Sequence, residues 1–248
     1  MAARANDSVP DLRKEVQRLE IEYKLHPKPA ASDYSLALFR LGYALFQEHN
    51  YTEAKDALIK SDLVLAKDGG GHGDSTNASW IAVCCCRLGQ YTEAEKYYTK
   101  AIEEAKANCK LNHEEMSIGL ASVMLGLGDV YEHTGRLDAA GSLYREVAAK
   151  VDKMEADEGQ RISSPESFDK LAQFLERKGD SREAEQWWRR VASMRVNAHA
   201  YSIQADALAH YAAMLRKERR DKEASPLEKR AKDLRATQNE LNRKGLQY

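Results

Sequence analysis

Apolar residues recur along this chain at the three-and-four spacing of a helix face. Between residues 9 and 26, Leu12, Val16, Leu19 and Tyr23 fall at i, i+4, i+7 and i+11, which predicts an amphipathic helix. A longer period then takes over. Tyr51-Thr52-Glu53-Ala54 and Tyr91-Thr92-Glu93-Ala94 are identical. Leu137-Asp138-Ala139-Ala140, Ser181-Arg182-Glu183-Ala184 and Asp221-Lys222-Glu223-Ala224 follow the same local pattern. The anchoring alanines 54, 94, 140, 184 and 224 are separated by 40, 46, 44 and 40 residues.

Two further patterns keep this register. Gly89, Gly135 and Gly179 each precede an anchor by five residues, where a left-handed glycine ends one helix just before the next begins. Upstream lie Leu41-Gly42-x-x-Leu45, Ile81-Ala82-x-x-Cys85, Leu127-Gly128-x-x-Tyr131, Leu171-Ala172-x-x-Leu175 and Tyr211-Ala212-x-x-Leu215. A small residue flanked by large ones on the same helical face lets a second helix approach closely. Four residues after the anchors stand Leu58, Tyr98, Tyr144, Trp188 and Glu228. The charged last member suits a final helix with no neighbour beyond it.

A large residue, Leu, Gly or Ala, then Gly, Ala and an aromatic at these offsets resembles the tetratricopeptide repeat family, over about residues 35–235. The long spacing is similar to the kinesin-light-chain subtype, and Glu223-Ala224-Ser225-Pro226-Leu227-Glu228-Lys229-Arg230-Ala231 resembles that subtype's E-A-x-P-L-x-K-R-A element. Only the first and third repeats keep the Leu-Gly pair. The resemblance implies an all-α, right-handed superhelical solenoid. One domain is expected over 1–248: a capping helix at 9–26, helix pairs at about 35–68, 75–108, 121–155, 165–198 and 205–238, and a polar tail at 239–248. Asn112 with Glu115 three residues on, and Ser163-Ser164-Pro165-Glu166, are read as helix starts. Asp68-Gly69-Gly70-Gly71-His72-Gly73-Asp74 is read as a connection between repeats.

Composition agrees. The chain of 248 residues holds 35 Ala against 17 Val plus Ile, and only 14 Gly and 5 Pro, a helical rather than a sheet composition. The longest clean apolar run, Trp80–Cys86, is far short of the roughly 20 residues that span a bilayer. The start lacks an apolar signal core, and Cys84, Cys85, Cys86 and Cys109 form no C-x-x-C pair, so a cytoplasmic, reducing setting is expected. The net charge of -1 hides an asymmetry: residues 161–248 carry 19 basic and 13 acidic side chains, residues 1–160 carry 19 and 26.

No catalytic constellation emerges. The glycines at 69–73 lack the Gly-Lys-Ser/Thr end of a phosphate loop. The seven histidines show no H-x-x-x-H spacing, and consecutive Cys84–Cys86 point in three directions on a helix, so neither a metal site nor a cofactor is expected. The late basic cluster is interrupted by acids and has no interleaved aromatics, which argues against nucleic acid.

By family resemblance, binding falls on the concave face lined by the first helix of each pair. The corresponding residues are Phe39, Tyr43 and Phe46; Ser79, Val83 and Cys86; Leu125, Asp129 and Glu132; Asp169, Gln173 and Glu176; and Ala209, Ala213 and Arg216. This face is apolar and aromatic first, polar and acidic in the middle. The helix over 9–26 could instead cover Phe39, Tyr43 and Phe46. The family's carboxylate clamp is absent, because its positions fall on Phe39, Tyr43, Trp80, Ser122 and Gly126. The expected function is a non-enzymatic scaffold that binds a peptide segment of a partner. Self-assembly into a homo-oligomer and peptide-responsive control of a catalytic partner are the alternatives.

Overall fold

The computed structural model describes residues 8–68, 75–112, 116–157, 164–194 and 196–244. Eleven α-helices and one short 3-10 turn make up the described residues, with no strand among them. The chain divides into two compact units, residues 1–136 and 137–248.

The first unit contains α1 (Val9–Leu25), α2 (Pro27–Gln47), α3 (Tyr51–Asp68), α4 (Ser75–Arg87), α5 (Tyr91–Leu111) and α6 (Ile118–His133). Each helix packs on the next, and α2, α4 and α6 also touch in succession. The second unit contains α7 (Leu137–Asp157), α8 (Pro165–Arg177), α9 (Ser181–Ser193), α10 (Tyr201–Lys217) and α11 (Asp221–Arg243). Successive helices pack here too, and α8 meets α10. The fold is thus an all-α helical repeat, as the sequence predicts.

The repeat register is also the packing register. Ala54, Ala94, Ala140, Ala184 and Ala224 are all fully buried. Leu58, Tyr144 and Trp188 are fully buried and Tyr98 nearly so, whereas Glu228 is exposed and pairs with Arg216 at 2.8 Å. At Gly42, a β-carbon would meet Leu58 Cγ at 2.7 Å, so the small residue of the Leu-Gly pair makes room for α3.

Five joints share one geometry. The backbone N–H groups of Asn50, Gln90, Arg136, Asp180 and Arg220 donate to the carbonyls of Leu45, Cys85, Tyr131, Leu175 and Leu215 at 2.8–2.9 Å. This is the six-to-one bond that closes a helix over a left-handed residue. Gly89, Gly135 and Gly179 hold φ of 72°, 77° and 87°. His49 and Arg219 hold the same conformation, at 62° and 61°, without being glycine. The backbone therefore repeats five times although the sequence signal for it appears only three times.

The second helices of the pairs are tied by cross-repeat bonds. Lys55 reaches Glu93 at 3.1 Å and Lys100 reaches Asp62 at 2.6 Å. Arg145 reaches Glu183 at 3.1 Å and Arg190 reaches Asp152 at 2.8 Å. Such partly exposed pairs contribute about 1 kcal/mol or less each, so they set register more than stability. A buried network does similar work between α2, α3 and α4: Ser35 and Ser61 hydroxyls lie 2.9 Å apart, and Asn77 donates to Ser61 at 3.1 Å.

Several boundaries differ from the sequence reading. Helix α2 begins at Pro27, eight residues before the expected 35, because a proline is tolerated where the first-turn N–H would be unpaired. Asn112 does not open a helix. It ends α5, and α6 is capped by Ser117, whose hydroxyl accepts from Leu120 N–H at 3.2 Å. Helix α11 runs on to Arg243, through much of the expected tail. The glycine-rich connection at 69–73 lies outside the described residues.

Candidate functional site

The faces of the first helices are built from residues spaced by one helical turn. On α2, Phe39, Tyr43 and Phe46 share one face, and all three are half-buried. Trp80 of α4 packs against Tyr43 and Phe46. Its ring meets Tyr43 edge-on at 5.0 Å and Phe46 at 5.2 Å between centroids. Phe46 also meets Tyr51 at 5.3 Å, and Tyr51 bonds His49 Nδ1 at 2.8 Å. Edge-to-face aromatic pairs at this separation contribute about 0.5–1.5 kcal/mol beyond area burial. The result is a fixed apolar patch with its outer surface open.

Helix α1 takes other partners. It stacks Tyr23 on Tyr34 at 5.2 Å, pairs Glu15 with Arg40 and Glu20 with Lys60, and bonds Glu53 and Asp68 through Arg13 and Tyr23. It caps the stack against α2 and α3.

Along α4, Ser79 donates to the Thr76 carbonyl at 2.9 Å, and Val83 lies half-buried one turn later. Cys86 is half-buried, and burial together with the nearby Asp129 carboxylate pushes its thiol up. Burial raises Cys84 to about 11 and Cys85 to about 12, so neither is a thiolate at neutral pH. On α6, Leu125 is buried while Asp129 and Glu132 are half-buried. The structure therefore brings Tyr43 and Phe46 together with Trp80, and places Leu125 behind the face rather than on it.

In the second unit, Asp169 of α8 is buried and fully engaged. It accepts from Trp188 Nε1 at 2.8 Å and from Gln173 Nε2 at 2.7 Å. Its two oxygens lie 3.1 and 3.0 Å from His210 Nδ1 of α10. Hydrogen bonding to Asp169 raises the His210 pKa. Two turns on, Glu176 accepts from Lys217 at 2.6 Å. Arg216 turns away, to Asp221 and Glu228 at 2.8 Å. Ala209 is half-buried and Ala213 exposed. On α8, Glu176 is thus met by the Lys217 ammonium and Asp169 by the His210 ring, both from α10.

On these faces the sequence reading met Trp80 only as a position of the absent carboxylate clamp, and it did not place His210 or Lys217 there. A signal for Trp80 and His210 was present. Arg40, Trp80, Gly126, Lys170 and His210 occupy one repeat position, immediately before the register residue. Arg40 reaches back to Glu15, Trp80 to Tyr43 and Phe46, and His210 to Asp169 and Gln173. Trp80 and His210 thus join a first helix to the first helix of the preceding repeat, and Arg40 joins α2 to α1.

Among the described residues, no group of three or more His, Cys, Asp or Glu side chains could hold a metal ion, and no helix is long and apolar enough to cross a membrane.

Residues 74–150 match the tetratricopeptide repeat family. No curated protein matches the chain by sequence. Among solved structures, the chain is similar to BtubC (BKLC) from P. vanneervenii, with a TM-score of 0.68, 14% identity, and coverage of 93% of this chain and 91% of that one. It is similar to the Rap conjugation gene regulator of plasmid pLS20, solved with the Phr* peptide, with a TM-score of 0.64, 16% identity, and coverage of 82% of this chain. The chain spans only 53% of that regulator's length. A kinesin-light-chain-type protein of Podospora anserina with nearly identical TPR-like repeats gives a TM-score of 0.57, 17% identity, and coverage of 81% and 94%. The tetratricopeptide-repeat match thus falls on α4 to α7, within a chain whose described residues form helix pairs in both units.

Proposed function

We propose that this protein is a non-enzymatic, cytoplasmic scaffold that binds a peptide segment of a partner protein on the faces of its first helices. One observation carries the reading: the half-buried patch of Tyr43, Phe46 and Trp80, three rings held against one another on two successive first helices. A rigid aromatic surface loses little entropy on binding and fits an apolar anchor side chain, the usual core of a peptide interface. Phe39, Ser79 and Val83 extend the patch. Asp129 and Glu132 supply polar contacts on α6 of the first unit, and Gln173 and Glu176 do so on α8 of the second, whereas Leu125 and Asp169 are buried. A solved relative in fold, the Rap regulator, is complexed with a peptide, which supports the same use of the fold here.

The test is a peptide-array screen repeated with Tyr43→Ala and Asp129→Lys. The reading expects Tyr43→Ala to weaken peptides with an aliphatic or aromatic anchor, and Asp129→Lys to change the preference for charge beside that anchor. Unchanged binding in both variants contradicts it.

A further inference from the structure

The Asp169–His210 pair goes beyond peptide binding. Asp169 is a carboxylate at 7% exposure whose oxygens are aimed by two fixed donors, the Trp188 indole from α9 and the Gln173 amide one turn along α8. Buried carboxylates keep their charge only when such donors or a cation compensate the lost hydration. The remaining partner is His210, whose Nδ1 stands within hydrogen-bond distance of both oxygens. The His210 side chain is 45% exposed. Protons therefore reach it from solvent without any rearrangement. Asp206 on its own helix and Glu176 on α8 add negative potential around the ring, and Glu176 is held by Lys217. Asp206 is tied to Arg235 of α11 at 2.7 Å.

We propose that Asp169 and His210 form a proton-operated clasp between α8 and α10, closed by a charge-assisted hydrogen bond when His210 is protonated and loosened when it is neutral. A neutral imidazole presenting a protonated Nδ1 still bonds Asp169, but as a neutral donor, and a charge-assisted bond is roughly twice as strong. The direction follows from linkage. His210 titrates higher when folded than its ordinary value of 6.5, the Asp169 bond being the main cause. The clasp's contribution is therefore complete below pH 6.5 and is lost as pH rises through the folded value. The two helices it joins belong to adjacent repeats of one unit, so the spacing of their faces is what the proton controls.

The experiment uses the free full-length protein, so its outcome is independent of any peptide. The His210 ring is titrated by NMR. The Trp188 indole N–H resonance, assigned with Trp188→Phe, is followed over the same pH range. Thermal unfolding is measured for wild type and His210→Gln. The clasp predicts a His210 midpoint above 6.5, a Trp188 indole resonance that moves with that midpoint, and a wild-type Tm that falls through it. In His210→Gln both the indole titration and that part of the Tm slope vanish. A His210 midpoint at or below 6.5 overturns the proposal, as does a Tm profile that is the same in wild type and His210→Gln. Because His210 is half-exposed, its replacement leaves the core intact, and the comparison does not depend on the harsher Asp169→Asn.

Discussion

The Tyr98 ring of α5 lies directly over Gly126 of α6. A β-carbon at 126 would stand 2.5 Å from Tyr98 Cζ and 2.7 Å from its hydroxyl. Tyr98 is buried and its hydroxyl bonds Cys86, so the ring has little freedom to withdraw. Overpacking of this kind costs about 1–3 kcal/mol. Gly126→Ala is expected to lose stability in that range by urea denaturation. In a Tyr98→Ala background the added loss should nearly disappear, since contacting residues couple. Additive losses would contradict the contact.

The five joints give a second prediction. Arg219 adopts a left-handed conformation that costs a non-glycine residue roughly 1–2 kcal/mol. Arg219→Gly is expected to raise stability by about 0.5–1 kcal/mol, after subtracting the greater flexibility of glycine in the unfolded chain. Gly179→Ala, at a φ of 87°, is expected to lower it by about 1 kcal/mol. Chemical denaturation of the two variants checks both signs at once.

Acid sensitivity should be traceable to Glu185. Arg220 donates to it at 2.7 and 2.9 Å, Arg189 at 2.8 Å and the Tyr211 hydroxyl at 3.0 Å. These partners, Arg220 foremost, hold its carboxyl down to about 2 from an ordinary 4.5. A depressed value means the contribution is present above pH 4.5 and is lost as pH falls toward 2. Glu185→Gln is expected to have a lower Tm than wild type at pH 7, with the gap narrowing at pH 3. A gap independent of pH would show that the loss is one of packing alone.

Much of this architecture was legible in the residues. The alanine anchors and the bulky side chains four positions later report close helix crossings directly, because a crossing tolerates only certain sizes. The joints at His49 and Arg219 were less legible, since only glycine advertises a left-handed residue. The helix start at Ser117 was obscured by the stronger-looking Asn112 pattern. The site was legible only in part. Register placed Tyr43, Phe46, Asp169 and Gln173 on first helices, but it could not say that Asp169 is buried and bonded by Trp188 or that Trp80 and His210 reach back to the preceding first helix. Those facts depend on three-dimensional neighbours about 20 to 40 residues away in sequence.

The central claim is that the aromatic patch on α2 and α4 seats a partner's peptide. The most direct test is photo-crosslinking of display-selected peptides that carry a photoreactive leucine analogue at the anchor position, with the attachment sites mapped by mass spectrometry. The account predicts attachment at Tyr43, Phe46, Trp80 or Val83, and at least a tenfold loss of affinity in Trp80→Ala, about 1.4 kcal/mol. Attachment confined to the second helices α3 and α5, with affinity unchanged in Trp80→Ala, would contradict it.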